Sequence, residues 1–483
     1  GEHVRDAACY VCWAFARAYA PDVLADHVAA LANALLPVAV FDREVNCRRA
    51  AAAAVQEHVG RQGTFPHGIE VVTLADFWTL SMRRHAYLEV APQLAQLGDY
   101  RRCLIEHLVA RKLSHQDLLI RLLASEALTR LAAEGTEETI AQLNSEVLPM
   151  LLSRASGEQS SASTEAAGGG LSATSLGARH GAVEGISAIV SALQDRVTSA
   201  NQDAIRGLVP ALEKARAYRG RGGEVVRQAA CHLLEKIALA TSWPFKAATC
   251  TRYLQTIDEC ARHTTDAVQV AAIDALAALA HQRLGSEAVA KCADTYINGL
   301  RDANEMIAAR RGFVLSLGAL PPQALGDRYA AVVEALSTEL KGDNLPGGVD
   351  QEDPKTRQYA SIALGCIILG TDWGSREADD PSLMLAVSSL EASMADYATD
   401  RRGDVGSWVR EASMEVITAL LEAQRLPDAP SMPKLPSAGK TTQLVALLLQ
   451  QAVEKIDRLR DRAWLLLKYL LIPEAAAGAA EAQ

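Results

Sequence analysis

One signature returns along the chain: an acidic residue or Asn, a hydrophobe followed by Arg a few positions later, then Ala and Leu at helical spacing. It centres on Arg5, on Arg48 after Asp42, on Arg121 after Asp117, on Arg227 and on Gln269 after Asp266. It continues with Arg310 after Asn304, Arg357 after Asp353, Arg410 after Asp404 and Arg460 after Asp457. The steps are 43 residues from Arg5 to Arg48, 42 from Arg227 to Gln269, 41 from Gln269 to Arg310, 47 from Arg310 to Arg357 and 50 from Arg410 to Arg460. Two wider gaps, 73 residues before Arg121 and 106 after it, imply units that lack the signature. One of them is the helical pattern "ARHGAVEGISAIVSAL" from Ala178. A unit of this length holds two helices and a turn, and it buries its apolar stripe only by stacking on its neighbours. The expected fold is therefore all-α, a HEAT/armadillo-type α-solenoid of roughly ten helical hairpins.

"DAVQVAAIDALAALAHQRLG" shows how one such helix is written. Val268, Ala271, Ala272, Ala275, Leu276 and Leu279 recur at the spacing of one helical face. Gly285 is expected to end the helix as a left-handed cap. Alanine in the contact rows lets helices approach toward the short end of the usual 8–10 Å. An Asp before the second helix of a unit can cap its free N–H groups. The Arg one turn later can reach an Asp of the next unit. Asp42, Arg48, Arg121, Arg227, Arg310, Arg357, Asp404 and Arg410 are accordingly expected to form a structural ladder between units, with no catalytic part.

Composition agrees with that reading and excludes others. Hydrophobic residues make up 49% of the 483 and aromatic ones only 5%, so the core rests on small and branched aliphatic side chains. A formal charge of −10 removes the basic footprint that nucleic-acid binding needs. The arginine pairs Arg83-Arg84, Arg101-Arg102, Arg310-Arg311 and Arg401-Arg402 read as solvated helix faces. Nine scattered cysteines read as reduced core thiols, and the lone Cys9-x-x-Cys12 lacks a second pair for a metal. No apolar run reaches the ~18 residues of a membrane span. The chain opens with Gly1 directly in a helical pattern, and an upstream extension is expected.

Interruptions set the boundaries. The array runs over 1–152, a Ser/Ala/Gly-rich flexible insertion over 153–178, and the array again over 179–426. A Pro-rich connector at 427–440, C-terminal helices at 441–473 and a disordered tail at 474–483 complete the chain.

Motifs for chemistry are weak. "SAGKTT" at 437–442 resembles the end of a phosphate-binding loop, but Lys434 stands where the motif requires glycine and prolines replace the preceding strand. A helix start capped by Thr441 or Thr442 fits better. The histidines, His27, His58, His107 and His232 among them, lack metal spacing, so neither a metal nor a cofactor is expected and the chain reads as a non-enzyme. The segment "GRQGTFPHGIE" at 60–70 is different. Gly60 is expected to stop a helix, with Gly63 and Gly68 free to turn and Pro66 stiffening the chain between them. Arg61, Gln62, Thr64, Phe65, Pro66 and His67 then form a rigid exposed loop, read as a partner contact in preference to a brace between repeats.

"VRDAACYVCWAFARAY", "FDREVNCRRAAAAAVQEHVGRQGTFPHGIEVVTLADF", "RRGFVLSLGALP" and "DAVQVAAIDAL" resemble the C-terminal half of the tubulin-folding cofactor D family, from residue 4 to about 472. The resemblance implies a cytosolic, microtubule-associated HEAT-repeat chaperone that captures β-tubulin. It implies work with tubulin-folding cofactors E and C and an ADP-ribosylation-factor-like small GTPase in assembling and dismantling the αβ-tubulin dimer, with GTP hydrolysis on the partners. The periodicity alone also admits a generic scaffold or transport adaptor for other protein cargo.

Overall fold

The computed structural model describes residues 1–98, 100–157, 173–219, 222–302, 304–342, 353–376, 380–425, 433, 435 and 437–472. They fall into two compact units, Gly1–Pro244 and Phe245–Gln483.

In the first unit, α1 (Glu2–Ala18), α2 (Val28–Phe41) and α3 (Val45–Gln62) are followed by the short α4 (Gly68–Leu74). Next come α5 over 83–94 and α6 over 100–112, each with an internal π turn (Ala86–Val90 and Leu108–Lys112). The unit continues with α7 (Leu118–Ala133), α8 over 137–156, α9 (Ala173–Leu193), α10 (Ser199–Lys214) and α11 (Gly223–Leu239). One row is built from α1 on α3 and from α5, α7, α9 and α11 in succession, while α2, α6, α8 and α10 back it. The helices cross closely where a side chain is missing: a Cβ on Gly181 of α9 would stand 1.5 Å from the Leu113 carbonyl oxygen.

The second unit repeats the scheme more regularly. Its hairpins pair α12 (Ala247–Ala261) with α13 (Asp266–Arg283), α14 (Ser286–Arg301) with α15 (Ile307–Gly318), and α16 (Tyr329–Lys341) with α17 (Pro354–Leu369). They end with α18 (Pro381–Ser393) and α19 (Gly406–Ala423), then α20 (Ala438–Gln451) and α21 (Asp457–Leu471). The second helices α13, α15, α17, α19 and α21 pack in succession as one row. Leu336, Leu364, Ile367, Val409 and Ile417 are wholly buried, each such side chain contributing about 2 kcal/mol of burial. Among the described residues the only sheet is a two-residue hairpin, Thr399–Asp400 against Gly403–Asp404. This is the all-α HEAT/armadillo architecture that the period implied.

Helix ends differ from the sequence reading in several places. The stripe of α13 is buried as expected, but Gly285 has extended backbone (φ −79°, ψ 164°) and precedes α14 instead of capping α13. Gly60 lies inside α3, which runs on until Gly63 caps it at φ +66°. Gly68 has no positive φ; the left-handed residue beside it is His67, at φ 52°. Helix α8 reaches Ser156 and α9 begins at Ala173, so both helices extend into the 153–178 segment; the flexible insertion expected there lies, for 158–172, outside the described residues. Helix α20 likewise begins at Ala438, inside the expected connector. The rest of that connector, except residues 433, 435 and 437, and the tail at 474–483 lie outside the described residues.

The 21-residue stretch Pro21–Phe41 holds an 18-residue window of mean hydropathy 1.7 and is after all long and apolar enough to cross a membrane by length and composition. Reading for an unbroken apolar run overlooked it because Asp22, Asp26 and His27 punctuate its start. Here Leu35, Leu36, Ala39, Val40 and Phe41 are buried, with α2 packed on α3 and α6.

Candidate functional site

Apart from Arg5 in α1, the signature arginines sit one turn into the second helix of a hairpin, and the guanidinium groups of Arg48, Arg121 and Arg310 turn back toward the chain before that helix. Arg48 donates to the carbonyls of Asp42 (3.0 Å) and Arg43 (3.2 Å), Arg121 to those of His115 (2.7 Å) and Gln116 (3.0 Å), and Arg310 to that of Leu300 (2.8 Å). The remaining N–H groups reach the next hairpin. Arg48 binds the Leu80 and Ser81 carbonyls (2.8 and 2.9 Å), Arg310 the Glu339 carboxylate (2.5 Å) and Arg357 that of Asp396 (2.9 Å). Arg410, 0% exposed, binds Asp404 (2.9 Å), the Asp396 carbonyl and Gln451 Oε1 (3.1 Å), and stacks on Tyr397.

An Asp of the next unit is thus one acceptor among several. Asp42 serves Arg5 that way (2.5 Å), and Asp353 serves Arg311. Arg5 and the Glu44 backbone hold the Asp42 carboxyl below its usual range against the opposing effect of burial, which is the largest single influence. Arg227 is half-buried with its guanidinium over Tyr218. Gln269 replaces arginine by donating to the carbonyls of Ala261 (2.9 Å) and Ala308 (2.6 Å). Arg101 and Arg310 are buried, so those two pairs are not the solvated faces expected of them; Arg101 closes on the Leu131 carbonyl at 2.7 Å. Adjacent arginines on a helix lie about 100° apart, so one can enter the seam while the other faces water.

The 60–70 loop is tied down. Phe65 is only 6% exposed and Gln62 is buried with its amide on the Ala16 carbonyl (3.3 Å). The Tyr100 hydroxyl donates to the Pro66 carbonyl at 2.6 Å, and the His67 ring meets Tyr100 edge to face. Gly98 faces His67 so closely that a Cβ there would stand 2.9 Å from Nε2. Arg61 pairs with Glu57, leaving Arg61, Thr64 and His67 as the exposed part. The expectation that Phe65 is an exposed contact is corrected: a large apolar ring next to a helix end finds the neighbouring hairpin before it meets solvent.

Two features escaped the sequence reading. The first is a buried relay across α7, α9 and α11: Arg121 Nε donates to His180 Nδ1 (3.0 Å), His180 Nε2 lies 3.7 Å from Glu184, and Glu184 binds His232 Nδ1 at 2.8 Å. Burial depresses His180 to about 4. His232 is raised because Glu184 outweighs its burial. His180 and Glu184 stand four residues apart, one face of one helix, which was the available signal. The second is an exposed aromatic turn at Phe77-Trp78, legible only as two large rings together in an aromatic-poor chain.

Other candidates do not converge on chemistry. Ser437, not Thr441 or Thr442, caps α20 through the Lys440 N–H, and Lys440 Nζ is held by Glu391 at 2.8 Å. All nine cysteines are free, and burial pushes Cys9 up to about 12. Among the described residues no three His, Cys, Asp or Glu groups are placed to hold a metal ion. A cavity of about 480 Å³ along α13, α15 and α17 is lined by Ile273, Leu315, Ile362 and Cys366.

Comparison with known proteins adds a consistent likeness. The family model "Tubulin-specific chaperone D-like, ARM repeats" matches residues 1–69, and "Tubulin folding cofactor D C terminal" matches 442–478. The tubulin-specific chaperone D of Dictyostelium discoideum is 25% identical across 98% of this chain. The chain is thus similar to the tubulin-folding cofactor D family along nearly its whole length. It covers 37% of that relative's length. The tubulin-folding cofactor D of Schizosaccharomyces pombe is 28% identical over 138 residues, which is 29% of this chain and 12% of that protein. The two family matches fall one in each unit, with α1 to α3 in the first match and α21 in the second. Among solved structures, a crystal structure of importin β in an ammonium sulfate condition is 15% identical, with a TM-score of 0.49 over 97% of this chain and 55% of that one.

Proposed function

We propose that this chain is a client-holding segment of a tubulin chaperone. It binds β-tubulin and cooperates with tubulin-folding cofactors E and C and an ADP-ribosylation-factor-like small GTPase in assembling and dismantling the αβ-tubulin dimer, in the cytoplasm and at microtubules. Similarity along 98% of the chain to a protein named tubulin-specific chaperone D carries this reading. The repeat architecture supports it, since stacked helical hairpins in each unit offer a broad surface suited to a protein client. The chain acts by binding, and any GTP turnover belongs to its partners.

Immobilised chain incubated with purified tubulin tests the proposal. Retention of β-tubulin, enhanced or released by cofactor E, cofactor C or the GTP-loaded small GTPase, is expected. Absence of retention with every combination rejects it, and indifference to cofactor E together with capture of peptide cargo favours a general scaffold or transport adaptor.

A further inference from the structure

The connection between α4 and α5 carries the most exposed large aromatic side chain of the first unit. Trp78 is 76% exposed, and Phe77 and Met82 accompany it at the surface. The turn that holds them is rigid. Asp76 Oδ1 accepts from the Trp78 and Thr79 N–H groups, both at 2.7 Å, and the Thr79 hydroxyl donates to the Leu74 carbonyl at 3.0 Å. Leu80 is fully buried directly after it, and Arg48 grips the Leu80 and Ser81 carbonyls from α3. An indole held out on so fixed a frame loses little freedom when it is covered.

Two guanidinium groups beside it lack a carboxylate partner among the described residues. The Arg49 guanidinium lies 4.0 Å from the Phe77 ring centre and donates to Ser81 Oγ at 2.9 Å, and its Nε has no hydrogen-bond partner. Arg83 gives two hydrogen bonds to the Arg43 carbonyl, at 3.2 and 2.9 Å. Among the described residues neither Arg49 nor Arg83 has a carboxylate within ion-pair distance, whereas Arg84 is paired with Glu126 and Arg43 with Glu44. In a chain of net charge −10 these two arginines stand against exposed aromatic surface, with Asp76 tied to backbone N–H groups of the turn.

We propose that the Phe77-Trp78 turn with Arg49 and Arg83 is a docking site for an acidic peptide segment that carries an apolar side chain. Carboxylates of the segment meet the two guanidinium groups, and its apolar side chain lies on Trp78 and Met82. A nucleic-acid strand fits less well, because two unpaired guanidinium groups are too few to neutralise a continuous run of phosphates. The proposal is independent of tubulin being the client.

The test uses the whole chain and a fluorescein-labelled peptide of glutamates flanking a Leu-Phe pair, read by anisotropy. Saturable binding that weakens with added salt is expected. Trp78→Ala and, separately, Arg83→Gln should each weaken it by about tenfold, the order of one interface anchor. The Trp78→Ala melting temperature should match the parent, since the indole is exposed. A peptide with lysine in place of glutamate should not bind. The proposal is overturned if the acidic peptide does not bind, if both variants bind it as the parent does, or if the lysine peptide competes equally. It is overturned too if a single-stranded oligonucleotide is preferred and lost in Trp78→Ala. Sedimentation showing a dimer that Trp78→Ala dissolves would instead assign the surface to a second copy of the chain.

Discussion

Arg410 and Arg102 are both arginines of helical hairpins, and their surroundings make them unlike. Arg410 is enclosed, with Asp404, the Asp396 carbonyl and Gln451 as partners, so Arg410→Ala strands those acceptors and should cost about 3–5 kcal/mol in urea denaturation. Arg102 spans Glu106 and Glu146 in water, and Arg102→Ala should leave the transition in place. Phe65→Ala should remove about 3 kcal/mol by opening a cavity between hairpins, a melting-temperature loss where an exposed contact would show none.

Acid should destabilise the fold before the carboxylates titrate. Burial holds His107 and His180 at about 4 against an ordinary 6.5. Between those values the folded chain binds fewer protons than the unfolded chain, so stability falls as pH falls, by roughly 3 kcal/mol for each group. His232 runs the other way, its raised pKa giving stability at low pH that is lost as pH rises through the folded value. Thermal melts from pH 7 to 4 should therefore decline, and His107→Phe should lessen the decline.

Between helices, spacing decides which substitutions are tolerated. A Cβ at Gly312 of α15 would stand 1.9 Å from the Ala261 carbonyl oxygen, so Gly312→Ala must part α15 from α12 and should lower the melting temperature sharply. Gly60 lies within α3 with nothing within 4 Å of its Cβ position. Gly60→Ala should raise stability by about 0.5–1 kcal/mol through helix propensity. The sequence located these helices well and their ends poorly. Gly60 and Gly285 both look like stops, yet α3 continues to the next glycine, and Gly285 serves α14. Helix α3 ends where Gly63 turns left-handed, beside a Gln62 side chain whose amide donates to the Ala16 carbonyl of α1.

Across the whole molecule, the repeats act on their neighbours, and the two units each carry their own ladder. Arg121 and Arg410 lie in different units and share no partner. Their alanine variants should therefore add within about 0.5 kcal/mol in a double-mutant cycle. The sequence by itself determined the repeat, the helical stripes and the arginines in the seam, because each follows from spacing along one helix. Tertiary structure decided that the seam closes largely on backbone carbonyls, that Phe65 braces a loop, that His180 meets Glu184 and His232, and that Trp78 stands out in solvent. Those outcomes depend on the carbonyls, rings and charges a neighbouring hairpin supplies, and no single segment encodes its neighbour's surface.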